Sequence, residues 1–195
     1  MTLLRWPLAS LLLLAALLAG CATLDEKQRQ WIFQPSAGQP AWLPSNTEGV
    51  QDVGIAHRSA ESGNPLRLHA LWLAQPRADA PVLLYLHGAR RNVWGSHFRI
   101  RNMHDLGFAV LALDYRGFGQ SSAELPSEAG VLEDARAAWD WLAREQPQRP
   151  RYIFGHSLGG AIAVQLAGEV DDARGLIVEG TFTSIPDVAS TMKWG

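Results

Sequence analysis

The chain has 195 residues, 47% of them hydrophobic and 18% charged, with a formal net charge of −2. That balance supports one globular domain with a sizeable core, and it excludes a disordered charged tail, a low-complexity chain and the basic footprint of nucleic-acid binding. One cysteine, Cys21, excludes a disulfide within the chain.

The first twenty residues read as an export signal, outside the fold. Arg5 supplies a positive start, Leu8 to Leu18 form an apolar run, and the small residues Ala19 and Gly20 follow. The run is short for a membrane-spanning helix, which needs about 20 apolar residues. Leu18-Ala19-Gly20-Cys21 resembles the lipobox of bacterial lipoproteins, which implies that Cys21 is acylated and becomes the first mature residue. The competing reading is an ordinary cleaved signal with an incidental cysteine. Several acyl chains anchor stably where one alone does not, and Ala22 after the cysteine implies the outer membrane, at its periplasmic face. The expected organisation is a signal peptide over 1–20, a tether or short helix over 21–30 and one domain over 31–195.

Trp31 to Pro35 reads as a first strand or a clamp against the sheet edge, and the proline and glycine density from Pro35 to Thr47 as an irregular loop. Val50 to Arg58 and Leu66 to Ala74 read as two strands joined by a hairpin turn over Glu61 to Pro65. His57 and His69 fall on these strands as satisfied sheet histidines. Pro81 to Leu86 is a continuous apolar run, the mark of a parallel strand covered on both faces, and it ends in His87-Gly88-Ala89-Arg90-Arg91-Asn92. Gly88 lets the backbone turn toward a ligand, and His87 reads as a brace for the loop. Arg90 and Arg91 read first as solvated charges and second as contacts to an anionic group.

Ser96 to Leu106 is expected as a helix and Phe108 to Leu113 as the next buried strand, leading into Asp114-Tyr115-Arg116-Gly117-Phe118-Gly119-Gln120-Ser121. No second carboxylate or lysine accompanies Asp114, so no metal or phosphate site is expected; Asp114 and Arg116 read as loop-fixing groups. Pro126-Ser127 opens a helix in which Leu132, Ala135, Trp139 and Leu142 recur at helical spacing.

The chemistry concentrates in Arg151 to Val164. A short strand signal, Tyr152-Ile153-Phe154, runs into Gly155-His156-Ser157-Leu158-Gly159 and continues as an alanine-rich helix. A serine on such a strand-to-helix turn takes a strained backbone that lifts its hydroxyl clear of the strand, and glycines two residues either side avoid a collision. The helix that follows aims N–H groups and its positive dipole end at the space above Ser157. Main-chain N–H groups of Ala89 and Leu158 are positioned as a pair of oxyanion donors. The competing reading is a glycine-rich turn whose serine only caps a helix. Gly175 to Val178 forms a last strand ending at Glu179. Alternating strands and helices from residue 81 onward call for a doubly wound, mostly parallel sheet, with ligands outside the carboxyl ends of the strands.

The motifs HGARRN, DYRGFGQSS, LPSEAGVLEDARAAWDWL, GHSLGGAIA and LIVEGTFTSIPDVA together resemble the α/β-hydrolase superfamily, most closely the branch that includes bacterial esterase-like lipoproteins and eukaryotic depalmitoylases. The resemblance runs from about Trp31 to the end. It implies an α/β-hydrolase fold with an antiparallel N-terminal hairpin. It further implies a serine esterase, thioesterase or peptidase-like hydrolase that works through an acyl-enzyme on Ser157, without metal or cofactor, on a small-molecule or lipid ester. Relatives often carry asparagine where Ala89 stands, which leaves the main-chain donor in place.

In this superfamily an acid and then a histidine follow the nucleophile, yet no histidine follows Ser157 in the 195 residues. Asp171, Asp172, Glu179 and Asp187 are among the carboxylates that follow, and Glu179, at a strand end, is the position for an acid. The base has no assignment: His156 should point away from Ser157, and His87, His97 and His104 precede the turn. The expectation is a sheet without its last strands, an exposed apolar edge at Gly175 to Val178, and a chain inactive as it stands. Two functional classes follow: a lipid-anchored serine hydrolase, or a non-catalytic lipoprotein that keeps the fold for binding.

Overall fold

Two apolar faces on every inner strand decide the architecture. In the computed structural model, which describes residues 20–21, 23–38 and 47–181, the strands are β1 (Val50–Arg58), β2 (Pro65–Leu73), β3 (Val82–Leu86), β4 (Ala109–Leu113), β5 (Arg151–His156) and β6 (Ala173–Glu179). They form one sheet of order β1-β2-β4-β3-β5-β6. The β1–β2 and β2–β4 pairs are antiparallel, and β4, β3, β5 and β6 run parallel. All five residues of β3 and of β4 are buried, as expected of strands covered on both sides.

Side-chain alternation sends the two sets of residues to separate cores. Leu84, Leu86, Leu111 and Leu113 join α3 (Glu128–Glu145) and α4 (Leu158–Glu169) through Ala135, Trp139, Leu142, Ile162 and Leu166. Leu83, Tyr85, Val110, Ala112 and Phe154 turn the other way, against Ile100 of α2 (His97–Asp105) and the short 3-10 turn Val93–Ser96. The Ser127 side chain accepts the Gly130 N–H at 2.8 Å and starts α3. The expected hairpin, parallel core and helices on both faces are all present.

The N-terminal stretch departs from expectation. Residues 23–33 form a helix, α1, so Trp31 to Phe33 is no strand. Its Arg29 donates to the carbonyls of Leu125 and Pro126 at 2.7 and 3.0 Å, and Phe33 is buried in the α3/α4 core. A helix end inserted into the core stands where a strand or a clamp against the sheet edge was expected. Residues 1–19 of the signal peptide expected over 1–20, most of the loop before Thr47 and Asp187 lie outside the described residues. Among the described residues β6 is an outer strand with Leu176 and Val178 exposed, and no helix is long and apolar enough to cross a membrane.

Candidate active site

The carboxyl ends of β3, β4, β5 and β6 meet at one place. Ser157 follows β5 directly, caps α4 and holds φ 55° and ψ −121°, a backbone conformation that costs roughly 1–3 kcal/mol and persists only where its surroundings enforce it. The enforcement is visible. Ser157 N–H donates to the Glu179 carbonyl at 2.9 Å, and its own carbonyl accepts from Gly160 N–H at 2.9 Å and the Thr181 hydroxyl at 3.0 Å. A Cβ at Gly155 would stand 2.2 Å from the Gly159 carbonyl oxygen, and one at Gly159 would stand 2.1 Å from that of Leu86. Both glycines are there for close approach.

Opposite Ser157 lies the loop after β3. Gly88 is so near that a Cβ on it would stand 3.1 Å from Ser157 Cβ and 3.3 Å from His156 Nδ1. Gly88, Ala89, Arg90, Arg91, Phe98, Arg99, His156 and Ser157 are among the residues lining a cleft of about 380 Å³. Ala89 and Ser157 thus share one cavity, with Leu158 at the first turn of α4. His156, expected to point away from Ser157 across the turn, lines the same cleft with its Nδ1 beside Gly88. Burial and the charge of Arg99 lower its pKa, against the opposing effect of Glu179.

The loop after β3 is strapped from three sides. Arg90 N–H donates to the Phe33 carbonyl at 3.1 Å, Asn92 Nδ2 donates to Gly38 at 3.1 Å, and the Asp114 carboxylate accepts Val93 N–H at 2.8 Å. Beneath it, His87 is buried against Tyr115 and Phe118, with Nδ1 donating to the Gly88 carbonyl at 2.6 Å. Burial lowers its pKa, so it stays neutral and braces the turn. Asp114 is itself fixed by His69, whose Nδ1 lies 2.8 Å from it while Nε2 lies 2.7 Å from Asp52. No Cβ fits at Gly119, where one would stand 1.9 Å from Asp114 Oδ2. His57, in contrast, faces Glu133 at 3.8 Å without a hydrogen bond to its Nε2, so the expectation of a satisfied histidine holds for His69 only.

Glu179 sits at the end of β6, and its carboxylate receives Arg99 Nε at 3.0 Å and Nη2 at 2.5 Å. That guanidinium lowers the Glu179 pKa. Among the described residues no histidine nitrogen is bonded to Glu179, and none of His57, His69, His87, His97, His104 and His156 is bonded to the Ser157 hydroxyl. Arg99 escaped sequence reading because its partner is 80 residues away, and nothing in a helix surface arginine announces such a partner. No group of three or more His, Cys, Asp or Glu side chains suited to a metal ion occurs among the described residues.

The buried His69 carries a pH prediction. Burial alone would lower its pKa, but Asp114 and Asp52 outweigh that and raise it above 6.5. A raised folded pKa stabilises the fold fully below the unfolded value and loses that contribution as pH rises through the folded value. The wild-type advantage over His69→Gln in urea midpoint should therefore shrink from pH 6 toward pH 9; an advantage constant with pH would assign His69 a purely steric role.

The sequence profile of the serine aminopeptidase S33 family matches residues 77–194, more than half of the chain. The chain belongs to this family of α/β hydrolases. It is 39% identical over 123 residues to lysophosphatidylserine lipase ABHD12 of Danio rerio, covering 59% of this chain and 31% of the lipase. It is also 34% identical over 170 residues to an uncharacterized protein of Mycobacterium tuberculosis, covering 84% of this chain and 57% of that one. Among solved structures, an α/β hydrolase of Vibrio vulnificus superposes with a TM-score of 0.71 at 23% identity over 88% of this chain and 63% of that chain. An esterase of Pyrococcus furiosus superposes with 0.68 at 19% identity, over 83% and 63%. The chain thus spans from 31% to 63% of the length of these relatives. The structural likenesses establish the α/β-hydrolase fold expected from the sequence.

Proposed function

We propose that this family member is an acyl hydrolase acting through Ser157 on an ester, thioester or amide, with a lipid ester as the favoured class. The observation that carries the reading is the strained Ser157 turn facing a cleft shared with Ala89. The Ser157 hydroxyl adds to the acyl carbonyl as its proton passes to a base. The tetrahedral oxyanion is held by the N–H groups of Ala89 and Leu158, and its collapse releases the protonated leaving group. Water then hydrolyses the acyl-enzyme. The name lipase on the Danio rerio relative supports a lipid ester. An exposed Cys21 at the beginning of the folded domain is compatible with lipid anchoring at a bacterial outer membrane, periplasmic face.

Binding without catalysis is the second reading, favoured because no histidine among the described residues is bonded to the Ser157 hydroxyl. Labelling of the protein with a fluorophosphonate probe separates the two. Labelling that disappears in Ser157→Ala supports an activated nucleophile. A folded, monodisperse protein that takes no label refutes the hydrolase reading for this polypeptide and leaves the binding one.

A further inference from the structure

The cleft above Ser157 is one-sided in charge. Arg90, Arg91 and Arg99 line it, and no Asp or Glu does so among the described residues. Arg99 is neutralised by Glu179 and lies over the Phe98 ring at 4.4 Å. Arg90 and Arg91 are exposed, and neither forms an ion pair among the described residues. They follow Ala89 directly, so two arginines without an ion pair among the described residues line the cleft that Ala89 and Ser157 share.

Two further features make this more than surface charge. Arg90 holds φ 74°, a left-handed conformation that glycine adopts freely and a long side chain does not. Its strain is maintained by the bond to the Phe33 carbonyl, and strain kept at a ligand-facing loop points to a role for the side chain carried there. Arg91 lies with Cβ and Cδ each 2.9 Å from where a Gly95 Cβ would stand, so its stem is seated on that glycine. Guanidinium groups suit oxyanions because their planar donors match carboxylate and phosphate oxygens. Phe98, 56% exposed at the same cleft, offers an apolar wall for a chain.

We infer that Arg90 and Arg91 form an oxyanion-binding subsite, so that the cleft selects acyl esters bearing a phosphate or carboxylate group. The inference deepens the hydrolase reading and rests on it for the ligand being an ester, but the subsite itself is testable by binding alone. The full chain is titrated calorimetrically, below micelle formation, with monododecyl phosphate, N-dodecanoylsarcosine and the neutral ether 1-dodecylglycerol. At least one anion should bind about tenfold or more tightly than the neutral ether, the size expected of one charge-assisted hydrogen bond, and the advantage should fall with added salt.

The anion preference should vanish in Arg90→Gln/Arg91→Gln, return in part with lysine at both positions, and persist in Ser157→Ala. Preference for the phosphate alone assigns a phosphoester group, and for the carboxylate alone a carboxylate; either upholds the subsite. Equal binding of charged and neutral probes, or a preference that survives the double glutamine variant with its circular dichroism unchanged, overturns it. Retained anion preference in a protein that takes no fluorophosphonate label would refute the hydrolase reading and leave the subsite standing.

Discussion

Alanine at Gly159 is expected to destroy the Ser157 turn and with it most of the stability of the domain and, where the Ser157 reaction occurs, the fluorophosphonate labelling. The new Cβ would stand 2.1 Å from the Leu86 carbonyl oxygen and 2.6 Å from that of His87, and neither can retreat. Leu86 belongs to β3, which is paired on one side with β4 and on the other with β5. Relief requires the start of α4 to lift from the sheet. That movement would break the Ser157 N–H bond to Glu179 and swing the Leu158 N–H away from Ser157. Overpacking of side chains against side chains costs typically about 1–3 kcal/mol; a clash of Cβ with fixed backbone should exceed the upper end. Gly155→Ala should behave alike, through the 2.2 Å approach to the Gly159 carbonyl oxygen.

Gly168 supplies the control in the same helix. Nothing lies within 4 Å of a Cβ there, and in the last turn of α4 alanine should gain no more over glycine than the roughly 0.5–1 kcal/mol of a helix interior. Urea unfolding of the three variants should give two large losses and one small gain. A Gly159→Ala protein with wild-type midpoint and labelling would show that the turn is not held by contact with β3.

The same close approach explains why so much of this site was legible in the sequence. Glycines at 155 and 159 leave a periodic signature around Ser157, and buried parallel strands such as Val82–Leu86 leave continuous apolar runs. The hairpin and the strand-helix alternation then fix which loops converge. Polar features were less readable. The helix over 23–33 carries Asp25, Glu26, Lys27, Gln28 and Arg29, a tether by composition, and its hold on the domain comes from Phe33 and from Arg29 reaching the carbonyls of Leu125 and Pro126. Pairing of Arg99 with Glu179 depends on where α2 crosses β6, which no local pattern encodes. His156 was expected to point away from Ser157 across the turn, and no local pattern announces that its Nδ1 lies beside Gly88 at the cleft.

Arg116 was read only as a loop-fixing residue, and its surroundings predict the second large effect. The side chain is fully buried. Its Nε and Nη2 donate to Asp134 at 3.1 and 2.8 Å, Nη2 to Glu133 at 2.9 Å, and Nη1 to Glu124 at 2.9 Å and Ser59 at 3.0 Å. The Arg116 N–H also donates to Asp134, at 2.8 Å. Burial alone would lower the Arg116 pKa, but Asp134 and Glu133 overturn that and raise it, so the group enters the core charged. Asp134→Ala removes the one fully buried carboxylate bonded to Arg116 and leaves the guanidinium with Ser59 and with Glu124, Glu133 and, at 3.8 Å, Glu61, all nearer the surface than Asp134. Breaking a buried pair on one side costs about 3–5 kcal/mol, whereas replacing both partners with apolar groups is often far milder. Arg116→Met should therefore be severe on its own by exposing Asp134 to an apolar core, and Arg116→Met/Asp134→Leu should be less destabilised than the sum of its single variants. Because Arg116 follows β4 and Asp134 lies on α3, both single variants should also loosen the loop that carries Asp114. Their fluorophosphonate labelling, where the Ser157 reaction occurs, should slow before global unfolding sets in. Strict additivity in the urea midpoints would mean that the two side chains act independently, and that the β4–α3 connection is held by apolar packing alone.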